Sequence, residues 1–92
     1  MNSNRLGDYT EIKAALWLMK QGYEVFRNLG CTGPVDIIAL DPHTGETVLI
    51  DVKFQKGNRC GPPIKDEQVE IGVRKLNVSD DRIWFDVDRS II

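Results

Sequence analysis

Pro34-Val35-Asp36-Ile37-Ile38-Ala39-Leu40 and Thr47-Val48-Leu49-Ile50-Asp51-Val52-Lys53 are two apolar runs rich in Val and Ile, joined by Asp41-Pro42-His43-Thr44-Gly45-Glu46. Runs of this composition, separated by a segment with Pro and Gly, predict a β-hairpin. Each run carries one Asp, a residue that strands disfavour. With Pro42-His43-Thr44-Gly45 as the loop and Gly45 in a left-handed conformation near its end, the strand register follows. Leu40 pairs with Thr47, Ile38 with Leu49, and Asp36 with Asp51. Directly opposed residues on one face hold their Cβ atoms about 4.5–5.5 Å apart, so two carboxylates meet there. Alternation places Lys53 on the same face, one step beyond Asp51. A slip of one residue would separate the three across the sheet.

Opposed like charges destabilise a sheet and call for compensation, and a divalent cation is the natural source. Carboxylate oxygens plus water suit Mg²⁺, with Mn²⁺ as a substitute, because Mg²⁺ takes one or two protein carboxylates and leaves room for phosphate oxygens. The Val52 carbonyl is a further candidate ligand beside Asp36 and Asp51. Lys53 is then a cation next to the site, placed to orient a water or to neutralise charge developing on a phosphate. The structural alternative is a strand that begins at Asp36 and a solvated strand end at Asp51 and Lys53.

Asp36, the hairpin, and Asp51-x-Lys53 resemble the PD-(D/E)XK nuclease superfamily, whose signature is an Asp on one strand and Asp/Glu-x-Lys on the next. Gly7-Asp8-Tyr9-Thr10-Glu11 resembles the N-terminal Glu motif of its Holliday-junction-resolvase-like branch. The resemblance spans roughly residues 6–54 and is carried by order and spacing rather than by letters. In one departure Val35 separates the Pro from the Asp. No Gln-x-x-x-Tyr follows the hairpin, which sets the chain apart from the exonuclease-like branch. The resemblance implies an α/β restriction-endonuclease-like core. It also implies a Mg²⁺-dependent endonuclease that hydrolyses DNA phosphodiester bonds, including those of branched or junction DNA, and works as a homodimer. Asp36 and Asp51 would hold metal, Glu11 would complete the site directly or through water, and Lys53 would assist the attacking water. Small single-domain relatives of this kind occur in phages and mobile elements.

At 92 residues the chain has room for one small domain, expected over residues 1–92. A domain of this size buries a modest share of its surface, so association with a second copy is expected. No apolar run approaches the roughly 20 residues that span a bilayer. The start, Met1-Asn2-Ser3-Asn4-Arg5, lacks the apolar core of a signal peptide. A cytoplasmic location is therefore expected, in the host if the chain is of phage origin. Cys31 and Cys60 suit that compartment as free thiols and form no zinc-type pair. The net charge of −2 argues against nucleic-acid binding and keeps a second reading open: an inactive nuclease-like fold that binds nucleic acid or protein. The distribution argues the other way. Every charged residue between positions 53 and 65 is basic (Lys53, Lys56, Arg59 and Lys65), which makes this run a candidate phosphate contact or, alternatively, a solvated loop.

Along the chain, Asp8 or Thr10 is expected to cap a helix that runs to Gln21 and stops at Gly22. Its buried stripe is expected at Ile12, Ala15, Leu16 and Met19, with Leu18 as a further member. Glu11 flanks that stripe, aimed at the paired acids. Residues 23–28 have strand character, with Arg27 and Asn28 as candidate phosphate contacts, and residues 29–34 form a loop. His43 falls at the hairpin tip as a loop residue. Gly57, Gly61, Pro62 and Pro63 mark a loop or lid. A second helix is expected over residues 65–75, with Gln68 on its surface by default or, alternatively, facing the site, then a turn over 77–81 and a last strand over 82–88. The mixed sheet should thus hold about four strands. Asp80, Asp81, Asp86 and Asp88 lack the spacing of a calcium loop. Trp17, Trp84, Ile91 and Ile92 are candidates for a dimer surface if exposed.

Overall fold

In the computed structural model, residues 1–30, 32–57, 59 and 61–86 are described. The chain runs α1 (Ser3–Lys20), β1 (Glu24–Arg27), β2 (Ile37–Leu40), β3 (Thr47–Phe54), α2 (Asp66–Glu70), β4 (Val73–Val78) and β5 (Ile83–Phe85). The strands form one mixed sheet of five, in the order β1-β2-β3-β4-β5. All neighbours are antiparallel except β3 and β4, whose parallel pairing needs the crossover that α2 provides. Expectations for Cys31, Cys60, Asp88, Ile91 and Ile92 lie outside the described residues.

The hairpin forms as its residues dictate. Leu40 pairs with Thr47 and Ile38 with Leu49. Gly45 takes φ +78°, and its N–H donates to Asp41 O at 2.8 Å. Asp41 Oδ1 accepts from His43 N at 2.9 Å, so the aspartate side chain closes the turn.

α1 covers one face of the sheet. Ala14 and Leu18 pack with Ile37, Ala39, Ile50, Val52, Leu76 and Val78, which alternate along their strands with residues on the other face. The helix starts earlier than expected because the Asn2 side chain accepts from Arg5 N at 2.9 Å and caps it. Its buried stripe differs in part: Leu18 is buried and Ala15 packs half-buried against the core as expected, joined by Thr10 and Ala14, whereas Ile12, Leu16 and Met19 are 50%, 56% and 58% exposed. The helix carries apolar residues on two sides. The small side chains at Thr10 and Ala14 let its axis come close to the sheet, and that decides which side is buried.

Residues 65–75 hold no long helix. α2 ends at Glu70, Gly72 turns the chain at φ +84°, and β4 follows at once. Asn77 and Val78, expected in a turn, are the end of β4 and fully buried. Lys75 concealed the strand. A lysine at 2% exposure in a core strand breaks the apolar pattern, yet its Nζ reaches Pro62 O at 2.8 Å and Asp86 Oδ2 at 3.6 Å. The same contact ties the 55–65 segment down, with help from Gln55 Nε2, which donates to Asn77 Oδ1 at 2.9 Å. Asp86 also accepts from Asn77 Nδ2 at 2.6 Å, so this acid serves the interior rather than calcium. Trp17 and Trp84 are half-buried. The first meets Phe85 edge-on at 6.1 Å and the second lies 4.6 Å under the Arg82 guanidinium.

Candidate active site

β3 is longer than β2 and runs on past it, and the gap this leaves is where the acids gather. Asp36 stands immediately before β2. Its N–H donates to Ile50 O on β3 at 2.9 Å while its C=O accepts from Asn28 N on the β1 side at 3.0 Å. In a regular strand both groups of one residue point to the same neighbour, so the backbone is kinked here in the manner of a bulge. The expected pairing is corrected accordingly: Asp36 is beside Asp51 without continuing the ladder. Its Oδ2 accepts from Val52 N at 2.7 Å, in the place where a β2 carbonyl would otherwise sit. The Val52 carbonyl points to the same side of β3 as that N–H, toward Asp36.

Asp51 projects from the face opposite α1. Its side chain is 8% exposed, and Oδ2 is buried without a hydrogen-bond partner. Lys53 Nζ is 3.7 Å from that oxygen, too far for a hydrogen bond but close enough for attraction. The Asp51 carboxyl is pushed above its ordinary value of 3.8, first by burial and further by the Asp36 charge, against the pull of Lys53. A raised acid binds more protons in the folded than in the unfolded chain, so it subtracts stability as pH rises from 3.8 through the raised folded value. Metal-free protein should therefore lose thermal stability over that window. Asp51→Asn should remove the loss, as read by melting curves of both proteins at stepped pH.

Gln68, for which the surface was the default expectation, takes the alternative place and faces the site. Its Nε2 donates to Asp51 Oδ1 at 3.3 Å and to Pro34 O at 2.9 Å, while its Oε1 accepts from Lys65 N at 2.9 Å. It thus ties α2 to both sides of the site and occupies one Asp51 oxygen, leaving the other open. Asn28 plays a matching part: its Nδ2 donates to Thr32 O and Val35 O at 2.6 and 3.0 Å, shaping the turn that delivers Asp36. No local pattern announced either role.

Glu11 is not brought to the pair. Its Oε1 accepts from Arg27 Nε at 3.1 Å, and Arg27 also binds Asp8 Oδ1 at 2.9 Å, on the sheet face that α1 covers. Among the described residues no three His, Cys, Asp or Glu side chains gather to hold one ion. Arg27, a candidate phosphate contact, is engaged by these two acids, whereas Lys56, Arg59 and Lys65 are exposed. An open buried carboxylate oxygen, a second carboxylate and a backbone carbonyl fit Mg²⁺, which keeps most of its waters. A cavity of about 250 Å³ is lined by Lys53 and Gln68, the two side chains that meet Asp51, together with Gln55, Pro62 and Lys65. No described helix is long and apolar enough to cross a membrane.

A protein of Caldicellulosiruptor saccharolyticus named UPF0102 protein is 42% identical over 65 residues, covering 68% of this chain and 53% of its own length. A UPF0102 protein of Roseiflexus castenholzii is 41% identical over 59 residues, covering 62% of this chain and 46% of its own. The chain thus spans about half the length of the curated relatives it matches. No solved structure matches it. Residues 10–77, which contain the hairpin, the paired acids and Gln68, match the uncharacterised protein family UPF0102. The chain belongs to that family, one of the PD-(D/E)XK-like nuclease superfamily.

Proposed function

We propose that this protein is a Mg²⁺-dependent endonuclease that hydrolyses DNA phosphodiester bonds. The observation that carries the reading is the Asp51 carboxylate, buried beside Asp36 with one oxygen open and an ammonium group 3.7 Å away. Burying such a carboxylate unpaired costs stability, and natural proteins keep costs of this kind at functional sites. Asp36, Asp51 and the Val52 carbonyl would hold the cation. When bound it supplies Lewis acidity to the scissile phosphate and lowers the pKa of a coordinated water. Lys53 lies on the solvent side of Asp51, where its charge orients the attacking water and offsets charge building on the phosphate. Gln68 and the Val52 N–H fix the two carboxylates, so the site is organised before substrate arrives. Glu11 acts at a distance in this reading, by holding Arg27 at the end of β1. Lys56, Arg59 and Lys65 supply positive charge for the DNA backbone. A homodimer would give two cuts related by two-fold symmetry, as branched DNA requires.

The test offers linear, flapped and four-way DNA with Mg²⁺ or Mn²⁺, and RNA alongside. Wild-type protein should cut DNA, and Lys53→Ala should slow cleavage by about 10²-fold while Mg²⁺ still raises its melting temperature. Intact substrates under all conditions would reject the enzyme and favour a binding module. Undiminished cleavage by Lys53→Ala would reject the assignment of Lys53.

A further inference from the structure

On the sheet face that bears Asp51, the next row of side chains is apolar. Phe26 pairs with Ile38 and Ile38 with Leu49, and Leu49 lies two residues from Asp51 on β3. Two residues along a strand are about 7 Å. The inner end of this row is covered, since Val73, the partner of Leu49 on β4, is 5% exposed. The outer end is open: Phe26 is 53% and Ile38 37% exposed, although Ile38 stands between the buried Ile37 and Ala39. A cavity of about 230 Å³ runs from this apolar end to Asp36, with Phe26, Ile38 and Asn28 among its other walls.

We infer that Phe26, backed by Ile38, is a stacking platform for an unpaired base next to the scissile phosphate, so that the site takes single-stranded or flapped DNA in preference to intact duplex. The inference rests on the nuclease reading and adds its substrate class. A phosphate at Asp36 and Asp51 leaves the attached nucleotide within reach of the apolar row, one pleat away. Only a base that has left its stack can lay a face on Phe26, because in a duplex both faces are covered by neighbours. The exposed side chains of Lys53, next to Asp51, and of Lys56 and Lys65 on the segment that follows it complement the phosphates of such a strand. An aromatic ring beside a charged groove is the pattern by which proteins grip single strands irrespective of sequence.

The test measures binding in EDTA, where no cleavage intervenes. An oligonucleotide carrying 2-aminopurine, whose fluorescence is quenched by stacking, is titrated with protein as a single strand and as a perfect duplex. Wild type should bind the single strand more tightly and quench it. Phe26→Ala should weaken single-strand binding roughly 5- to 100-fold and leave the duplex unchanged. Phe26→Trp should preserve quenching, and Phe26→Leu, apolar but without a ring, should not. Phe26 is half exposed, so these variants are expected to melt with wild type. Equal single-strand affinity of Phe26→Ala and wild type overturns the inference, as does an equal loss on duplex. A dimer that Phe26→Ala dissolves in sedimentation, with single-strand binding unchanged, would assign the patch to a second copy. Wild type that binds no DNA removes the nuclease reading and this one together, whereas binding and cleavage that ignore Phe26 remove only this one.

Discussion

Asp51→Asn should abolish metal-dependent cleavage, a loss of about 10³-fold or more, and at the same time raise the melting temperature of the metal-free protein. Both effects have one cause. The carboxylate is buried with an oxygen that no donor satisfies, near the like charge of Asp36. An asparagine of the same shape keeps an oxygen for the Gln68 amide and removes the buried charge that the Asp36 carboxylate opposes. Relief of an unsatisfied buried group is worth about 1 kcal/mol, or about 4–8 °C in a domain of this size. The measurement is a pair of melting curves with and without Mg²⁺, alongside a cleavage assay. The cation should stabilise wild type and leave Asp51→Asn where it was. A variant that melts lower than metal-free wild type, or that still cuts, would show that Asp51 is an ordinary structural acid.

Leu18→Ala should cost about 2–5 kcal/mol, lowering the melting temperature by more than about 10 °C, whereas Leu16→Ala two positions earlier should cost less than about 1 kcal/mol. Leu18 is 1% exposed in the layer between α1 and the sheet, and Leu16 is 56% exposed. Truncating the first leaves a cavity lined by Ala14, Ile37 and Ile50, all fully or almost fully buried and with little freedom to collapse. Denaturant titration of both variants checks the difference. Equal losses would mean that α1 packs on the face its apolar spacing suggested.

The contrast between these two leucines shows where local pattern stops being informative. A helix with apolar residues on two sides satisfies the same periodicity whichever side is buried, and only the depth available over Ile37, Ile50 and Leu76 chooses. β4 escaped sequence reading for a related reason. Its burial depends on Lys75 finding Pro62 O and Asp86, partners that lie 13 and 11 residues away along the chain, and no window of neighbouring residues reveals that pairing. Gln68 reads as a surface helix residue until the crossover between parallel strands sets α2 over Pro34 and Asp51.

By itself the sequence determined the hairpin, its loop with Gly45 left-handed, and the proximity of Asp36, Asp51 and Lys53. These follow from strand alternation and turn chemistry, which act over a few residues. The tertiary structure alone decided the kink that turns the Asp36 carboxylate onto the Val52 N–H, the amide that fixes Asp51, and the diversion of Glu11 to Arg27. Each depends on a group brought close by packing from another element, at a distance in the chain that local preference does not reach.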